Sequence, residues 1–230
     1  MGRLSYRGMV MLGAALLSPA LALAPASAFA QAATLAAPAT AIPGVDMAVA
    51  TAPRTLGRAG APVVIEEFAS LICPHCAHFE EAFLPRLKAD FINTGQVQII
   101  FHDTPSNQVA FKAHIALRCL PLNSYMDARS LVFSTQAQWL GAKDPAKALQ
   151  DVLGMVGLSS ATFDACINSR PLQDYVAGAS QQAQELNIES TPTLIIRKGG
   201  AEVARVAGPH DYDALAAMLV KAGAKPPAKK

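Results

Sequence analysis

The feature that most constrains the fold is a pair of cysteines, Cys73 and Cys76, placed where a strand is predicted to pass into a helix. Residues 63–69 are largely apolar, which is typical of a strand buried on both faces of a parallel or mixed sheet. Pro74 suits the first position of a helix, so Cys73 is predicted to be the N-cap residue. The sequence therefore predicts two thiols in the first turn of a helix that directly follows a buried strand.

A CxxC spacing occurs in zinc sites, haem attachment sites, structural bridges and redox pairs. Haem attachment requires a histidine directly after the second cysteine, where this chain has Ala77. A zinc site normally needs a second closely spaced pair, and His75 and His78 cannot easily converge with both sulfurs from one helical turn. We therefore expect no metal and no cofactor, while a structural bridge and a redox pair both remain open.

The redox interpretation has a physical basis in the position of the thiols. The free N–H groups at a helix N-terminus stabilise the thiolate, which is the reactive form of cysteine. Cys73 lies at that end and is predicted to react with partners, while Cys76 lies one turn deeper and is predicted to resolve the mixed disulfide. Pro74 is expected to shape this turn, and His75 to place a hydrogen-bond donor beside the Cys73 sulfur. The alternative for His75 is an exposed loop histidine without that role.

The remaining pattern predicts an α/β fold that is interrupted by a helical insert. Pro85 is predicted to kink the helix that follows the cysteines. Apolar residues at spacings of three and four predict four or five helices over about residues 107–187. Three further strands and a last helix give the order βαβ, helical block, ββα, with the strands at 96–102, 192–197 and 201–207 and the helix at about 212–222.

The two ends of the chain have a different character. Residues 1–30 begin with Arg3 and Arg7 and continue with an apolar stretch and small-residue triplets, a pattern typical of a secretory signal peptide. This pattern predicts export to an oxidising compartment, most simply a bacterial periplasm. Residues 31–56 are rich in Ala, Thr and Pro without a helical or strand period, so we expect a flexible linker. The folded domain is then predicted at 57–222, followed by a solvated tail at 223–230.

The charge of the chain argues against one class of partner. The formal net charge of +2 includes Arg3 and Arg7, which lie in the predicted signal peptide. The chain that remains after cleavage carries as many acidic as basic side chains. A neutral chain gives no electrostatic reason to expect nucleic acid as a partner.

Two separate stretches of sequence carry a family resemblance. The first is Phe68-Ala69-Ser70-Leu71-Ile72-Cys73-Pro74-His75-Cys76 followed by Phe79-Glu80-Glu81, and the second is Thr191-Pro192-Thr193. Together they resemble the DsbA family of periplasmic thiol:disulfide oxidoreductases. The resemblance implies a thioredoxin-like fold with a helical insertion, a nucleophilic Cys73 and a resolving Cys76. The CPHC form of the motif is associated with the oxidases of this family.

The same resemblance implies roles for residues outside the CxxC motif. Pro192 matches a cis-proline that faces the cysteines, and Thr191 precedes it. A proline that opens a strand leaves nearby backbone groups unpaired, and these groups can pair with an extended client. Glu67 matches a buried acidic residue beneath the cysteines, although strand alternation alone leaves Glu66 as an equally good candidate. A membrane partner of the DsbB type, linked to quinone, is implied for reoxidation.

A second pair of cysteines, Cys119 and Cys166, lies in the predicted helical block. Each follows or lies within an apolar helical run, and an oxidising compartment favours disulfides. We therefore expect the two to form a structural disulfide with each other, the alternative being two buried free thiols. Many members of the broader DsbA family carry such a second pair in the insert.

The sequence thus predicts a monomeric periplasmic oxidase that donates the Cys73–Cys76 disulfide to reduced, unfolded secreted proteins. A monomer is expected because residues 31–56 are too few to form an N-terminal dimerisation domain of the kind found in isomerase relatives. One alternative is an isomerase or reductase that is kept reduced in the periplasm. Another is a non-catalytic peptide-binding chaperone that uses the groove around Pro192.

Overall fold

The structure is a computed structural model of the chain, and it describes residues 41–227. The predicted signal peptide, residues 1–30, lies outside the described residues, as do residues 31–40 of the predicted linker and residues 228–230 of the predicted tail. The described part is built from one five-stranded sheet and the helices that pack around it.

Five strands form the sheet, namely β1 (Arg54–Leu56), β2 (Val63–Ala69), β3 (Val97–Asp103), β4 (Thr193–Lys198) and β5 (Ala201–Ala207). Their spatial order is β1-β3-β2-β4-β5, which places β2 in the centre. β2 and β3 run parallel, whereas the other neighbouring strands run antiparallel. The carboxyl end of the central strand therefore leads directly to the cysteines.

Alternation along β2 sorts its side chains onto two faces of the sheet. Ile65 lies opposite Ile99 of β3 and Ile196 of β4, and all three belong to the main core. Phe68 points to the other face, where it packs with Ala183 in a separate small cluster. The sheet is thus covered on both faces, as expected for a strand as apolar as β2.

The helix that follows the cysteines, here called the redox helix, runs over residues 74–92. Its segments are Pro74–His78, Phe79–Phe83, Leu84–Leu87 and Lys88–Ile92, and the second and fourth are π-helical. Pro85 lies at the start of the third segment, where its missing N–H interrupts the regular helical bonding. The predicted disturbance at Pro85 therefore takes the form of wider turns on both sides of it.

The helical block between β3 and β4, here called the insert, contains six helices rather than the four or five that the sequence predicted. Their bounds are Gln108–Arg118, Leu122–Ser134, Gln136–Leu140, Pro145–Gly154, Ser160–Ile167 and Arg170–Glu185. The additional boundary falls at Thr135, which is neither proline nor glycine and so gives no strong breaking signal. A final helix, Tyr212–Ala222, follows β5.

The flexible-linker prediction is wrong for residues 41–56. A short helix, Met47–Ala50, precedes β1, and β1 pairs antiparallel with β3. Arg118 Nη1 donates to the carbonyl oxygens of Ala50 and Ala52, at 3.1 and 3.0 Å, and so fixes this segment from the insert. A helix of four residues and a strand of three are too short to produce a period, so only tertiary contacts reveal them.

Within residues 41–227, no helix has the length and apolar character that crossing a membrane requires. The same described part contains no cluster of three or more histidine, cysteine or acidic side chains arranged to hold a metal ion.

The ordered segment at residues 41–56 leads to a testable prediction. A chain that starts at Gly57 should be less stable than a chain that starts at Ala41, by about 3 kcal/mol or more. It loses the buried Ile42 and Ala50 and leaves Arg118 Nη1 without its two carbonyl acceptors. Urea unfolding of both chains, followed by the fluorescence of the single tryptophan, measures the difference. Equal unfolding midpoints would contradict the structural role assigned to this segment.

Candidate active site

The N-terminus of the redox helix meets the start of β4 at Cys73. Cys73 is the N-cap residue, with φ −83° and ψ 122°, and Pro74 is the first residue of the helix. The Cys73 Sγ lies 3.1 Å from the carbonyl oxygen of Thr191, and the Thr191–Pro192 peptide bond is cis. The Pro192 carbonyl oxygen accepts a hydrogen bond of 2.7 Å from the N–H of Gly208. The fold therefore brings Cys73 together with Thr191 and Pro192, which lie far away in the sequence.

The surroundings of Cys73 favour its ionised form. A hydrogen bond from the Cys76 thiol is the largest influence, and it lowers the pKa of Cys73 to about 5. Partial burial opposes this shift, while the Thr191 side chain and the backbone N–H groups of Cys76 and His75 support it. The Thr191 carbonyl favours the protonated thiol, because only a protonated sulfur can donate to it. The donors to the sulfur prevail, so Cys73 is a thiolate at neutral pH.

Cys76 has the opposite character. Its side chain is fully buried, whereas Cys73 is partly exposed, and both residues are free thiols in this structure. The hydrogen bond to Cys73 raises the pKa of Cys76 most strongly, followed by burial and by the negative charges of Cys73 and Glu67. The pair is therefore asymmetric, with one accessible thiolate and one buried thiol that keeps its proton.

Glu67 belongs to a buried cluster of two carboxylates and one guanidinium. Arg129 Nη2 lies 2.8 Å from Glu67 Oε1, and Arg129 Nη1 binds Glu80. The Ser130 hydroxyl donates to Glu80 Oε1 at 2.7 Å, while Glu67 Oε2 is buried with no hydrogen-bond partner among the described residues. Burial raises the pKa of Glu67 to about 7, since the lowering effect of Arg129 is smaller and the charge of Glu80 adds to the rise.

Strand alternation separates Glu67 from its neighbour Glu66. Glu67 lies on the same face of β2 as Ile65 and is fully buried, and its charge acts on Cys76. Glu66 points to the opposite face, where its Oε2 lies 2.6 Å from Arg197 Nε. Of the two candidates that the sequence left open, Glu67 is therefore the one beneath the cysteines.

His75 is exposed and contacts the loop after β5. Its ring meets the ring of His210 edge-on, with the centroids 6.4 Å apart. The group of His75 that lowers the pKa of Cys73 is its backbone N–H. The predicted role of the His75 ring as a donor to Cys73 stays a prediction.

Cys119 and Cys166 are joined by a disulfide whose sulfurs are 2.02 Å apart. The bond links the residue that follows helix Gln108–Arg118 to helix Ser160–Ile167, so both of its ends lie in the insert. This disulfide ties the insert to itself rather than to the sheet.

Three residues of the insert contact the site without having been singled out from the sequence. Arg129 binds Glu67, Gln136 binds the carbonyl oxygens of Leu71 and Cys73, and His114 Nε2 accepts the N–H of Leu71 at 3.3 Å. The one available signal was at Arg129, which occurs on an apolar helical stripe, four residues after Tyr125 and four before Phe133. A charged residue on such a stripe indicates a buried partner of opposite charge.

A proline that opens a strand beside an N-capping cysteine, on a sheet with this order of strands, is typical of a thioredoxin-like fold. A family model described as "Thioredoxin" matches residues 50–221. The chain belongs to this thioredoxin family.

Solved structures agree with this assignment. The crystal structure of α-DsbA1 from Wolbachia pipientis is similar with a TM-score of 0.67 and 24% identity, over 74% of this chain and 89% of that one. The structure of oxidised BdbD from Bacillus subtilis gives a TM-score of 0.64 and 21% identity, over 78% of this chain and 95% of that one. The predicted resemblance to DsbA proteins and the predicted thioredoxin-like α/β fold with a helical insertion are therefore confirmed.

Curated relatives carry names of the same kind. A Rickettsia typhi protein named as a protein-disulfide oxidoreductase is 24% identical over 143 residues, which are 61% of this chain and 53% of the relative. Disulfide bond formation protein D of Bacillus subtilis is 25% identical over 150 residues, which are 61% of this chain and 66% of the relative. The chain thus spans about half the length of the Rickettsia relative.

The ionisation of Cys73 can be tested through its main donor. Replacing Cys76 with alanine removes the thiol hydrogen bond and should raise the pKa of Cys73 from about 5 by roughly one to two units. Cys76→Ser keeps a hydroxyl donor and should raise that pKa less. Ultraviolet titration of the Cys73 thiolate in both variants measures the shifts. An equal rise in the two variants would show that the hydrogen bond is not the cause.

Burial of Glu67 predicts a pH dependence of stability. The pKa of Glu67 is raised to about 7 in the folded state. Its contribution to the free energy of unfolding is therefore fully present below the unfolded pKa and is lost as the pH rises from about 4.5 to 7. The loss is on the order of 3 kcal/mol. Glu67→Gln, neutral at every pH, should flatten this decline.

The measurement is urea unfolding between pH 4 and 8, in a background where Cys73 and Cys76 are both serine, so that no redox thiol titrates. Glu66→Gln on the opposite face is the matched control and should keep the decline. If Glu67→Gln keeps it as well, a different group causes the pH dependence.

Proposed function

We propose that this protein is a thiol:disulfide oxidoreductase that exchanges its Cys73–Cys76 pair with the thiols of client proteins. The observation that carries the proposal is the asymmetry of the pair, an accessible Cys73 with a pKa lowered to about 5 above a fully buried Cys76 with a raised pKa. Perturbed thiols of this kind are expected where a thiolate must act both as nucleophile and as leaving group.

In the oxidising direction, a client thiolate attacks Cys73 Sγ of the disulfide form. A mixed disulfide between the client and Cys73 results, and Cys76 leaves as a thiolate that takes up a proton. A second client thiolate then attacks the client sulfur of the mixed disulfide and expels the Cys73 thiolate. The client loses two electrons and forms a disulfide, while Cys73 and Cys76 gain the two electrons.

Stabilisation of the Cys73 thiolate favours this direction. The thiolate exists only in the reduced protein, so every donor that stabilises it lowers the free energy of the reduced form relative to the disulfide form. An oxidase is therefore the function that the site supports best. His75 adds to this preference if its ring donates to the thiolate, and Pro74 fixes the shape of the turn.

The residues around the pair have separate tasks in this proposal. Glu67 exchanges a proton with Cys76, because it is fully buried, its charge acts on that thiol and its pKa is raised to about 7. Thr191 and Pro192 bind the client, since β4 begins its ladder only at Thr193. The Pro192 carbonyl is occupied by Gly208, but Cys73 carries no proton for the Thr191 carbonyl in the disulfide form, so that carbonyl becomes available to pair with an extended chain. Cys119–Cys166 is a structural disulfide.

The proposed setting is a bacterial periplasm, reached through the predicted signal peptide at residues 1–30. The clients are reduced, unfolded secreted proteins, and a quinone-linked membrane partner of the DsbB type restores the disulfide. The protein acts as a monomer.

Two other functions use the same fold. An isomerase or reductase reverses the direction of electron flow, and a peptide-binding chaperone uses the surface around Pro192 without exchange. The low pKa of Cys73 favours the oxidase over both, since a chaperone has no use for a thiolate and a reductase gains nothing from a stabilised reduced form.

Incubation with a reduced, unfolded client tests the proposal. The disulfide form should oxidise the client and become reduced itself, and Cys73→Ala should abolish this activity. Cys76→Ala has no Cys73–Cys76 disulfide to donate and should also fail to oxidise the reduced client. Mixed with a client that already carries a disulfide, its Cys73 thiolate should attack that disulfide, release one client thiolate and accumulate as a mixed disulfide, because the resolving thiol is missing. A variant with Cys119 and Cys166 both replaced by alanine is the control and should retain exchange.

Thiol trapping of the protein in cells separates the three functions. An oxidase is recovered mainly with Cys73 and Cys76 in a disulfide, whereas an isomerase or reductase is recovered mainly as a dithiol. A chaperone with a structural bridge does not exchange with glutathione. Either of the last two results would replace the oxidase proposal.

A further inference from the structure

One side chain of the insert binds the backbone on which the redox helix begins. Gln136, the first residue of helix Gln136–Leu140, is 8% exposed. Its Nε2 lies 2.9 Å from the carbonyl oxygen of Leu71 and 3.2 Å from that of Cys73. Both carbonyls belong to the segment that connects β2 to the redox helix. One amide group therefore binds this segment both at Cys73 and two residues before it.

The Cys73 carbonyl also determines the geometry of the first helical turn. It accepts the N–H of Cys76 and the N–H of Ala77, each at 3.1 Å. The N–H groups of His75 and Cys76 lie in the same turn and act on the Cys73 sulfur. A shift of the Cys73 carbonyl therefore changes the direction of the backbone donors that stabilise the thiolate.

The amide of Gln136 is itself held on a rigid support. The Thr135 hydroxyl donates to the Leu131 carbonyl at 2.6 Å, which fixes the corner between the two helices. Trp139, one turn after Gln136, is 1% exposed, and its indole N–H donates to the Val132 carbonyl at 2.9 Å. A side chain on such a support can restrain the backbone that it binds.

The insert also binds the other polar group of Leu71. His114 Nε2 accepts the Leu71 N–H at 3.3 Å, and the ring is fixed by a contact of 2.8 Å between its Nδ1 and Asp103 Oδ1. The N–H and the carbonyl of Leu71 are therefore both bound by side chains of the insert, two residues before Cys73. Neither contact belongs to the sheet or to the redox helix.

We propose that Gln136 is a positioning residue of the redox centre, which fixes the first turn of the redox helix through the carbonyls of Leu71 and Cys73. Through this amide, the helical insert sets how strongly the backbone donors stabilise the Cys73 thiolate. The inference rests on the proposed function for its consequence, since a thiolate that takes part in exchange is what the amide tunes.

Gln136→Met tests the proposal, because methionine has a similar size and lacks the amide donors. The pKa of Cys73 should rise by about half a unit or more, and the equilibrium constant for reduction of the disulfide by glutathione should fall about threefold. Ultraviolet titration and glutathione equilibration of the full chain measure the two quantities. Without the Gln136 amide, the backbone N–H groups stabilise the Cys73 thiolate less, and the reduced form becomes less stable. The higher pKa and the lower equilibrium constant therefore have the same cause.

Gln150 supplies a matched control within the same insert. It is also 8% exposed, and its Nε2 donates to Ser160 and Asp164, at 3.4 and 3.2 Å, rather than to the segment that connects β2 to the redox helix. Gln150→Met should lower the melting temperature but leave the pKa of Cys73 and the glutathione equilibrium as in wild type. Equal changes in the two variants would show a general effect of loosening the insert and would overturn the proposal.

If Gln136→Met does not fold, Gln136→Asn is the variant that tests whether Gln136 positions the redox centre. Asparagine keeps the amide but is one methylene too short to bind both carbonyls, so it should shift both quantities in the same direction by a smaller amount. A folded Gln136→Met or Gln136→Asn with unchanged pKa and equilibrium contradicts the role of Gln136 alone. A wild-type protein that does not exchange with glutathione contradicts the proposed function instead.

Discussion

The chemistry of this protein depends on one constraint, namely that Cys73 must cap the redox helix while its sulfur faces the start of β4. The cap position supplies backbone N–H groups to the sulfur, and the cis Thr191–Pro192 bond places a carbonyl 3.1 Å away. Central strand β2 positions both Cys73 and the Thr191–Pro192 bond, since it leads into the redox helix and pairs with β4. The sheet thus fixes the positions of the proposed nucleophile and of the proposed client-binding backbone relative to each other.

The buried carboxylates near the cysteines are bound by side chains of the insert rather than by side chains of the sheet. Arg129 is the only guanidinium that the described structure places between Glu67 and Glu80, and its Cζ lies 4.3 Å from the ring centroid of Phe101 and 5.0 Å from that of Phe133. Glu67 shares this one buried cation with Glu80. Burial therefore outweighs the attraction of Arg129, and the pKa of Glu67 rises to about 7. The insert therefore does more than cover the sheet.

Much of the framework was predictable because it rests on local patterns. The residues of β2, the hairpin around Gly199–Gly200 and the final helix each carry their own periodicity or turn signal, and the structure has them at or within one residue of the predicted bounds. The flexible-linker prediction for residues 41–56 was wrong for the opposite reason. The order of this segment comes from pairing with β3 and from Arg118, and neither contact leaves a local trace in the sequence.

The sequence by itself determined the reactive group, because a CxxC after a buried strand, with proline between the cysteines, places one thiol at a helix N-terminus whatever surrounds it. Only the tertiary structure decided between Glu66 and Glu67, since alternation assigns two faces but not which one lies under Cys76. It alone revealed Arg129 and Gln136 as partners of the site. Contacts between residues distant in the chain depend on how helices pack, and side-chain spacing within one helix does not specify its neighbour.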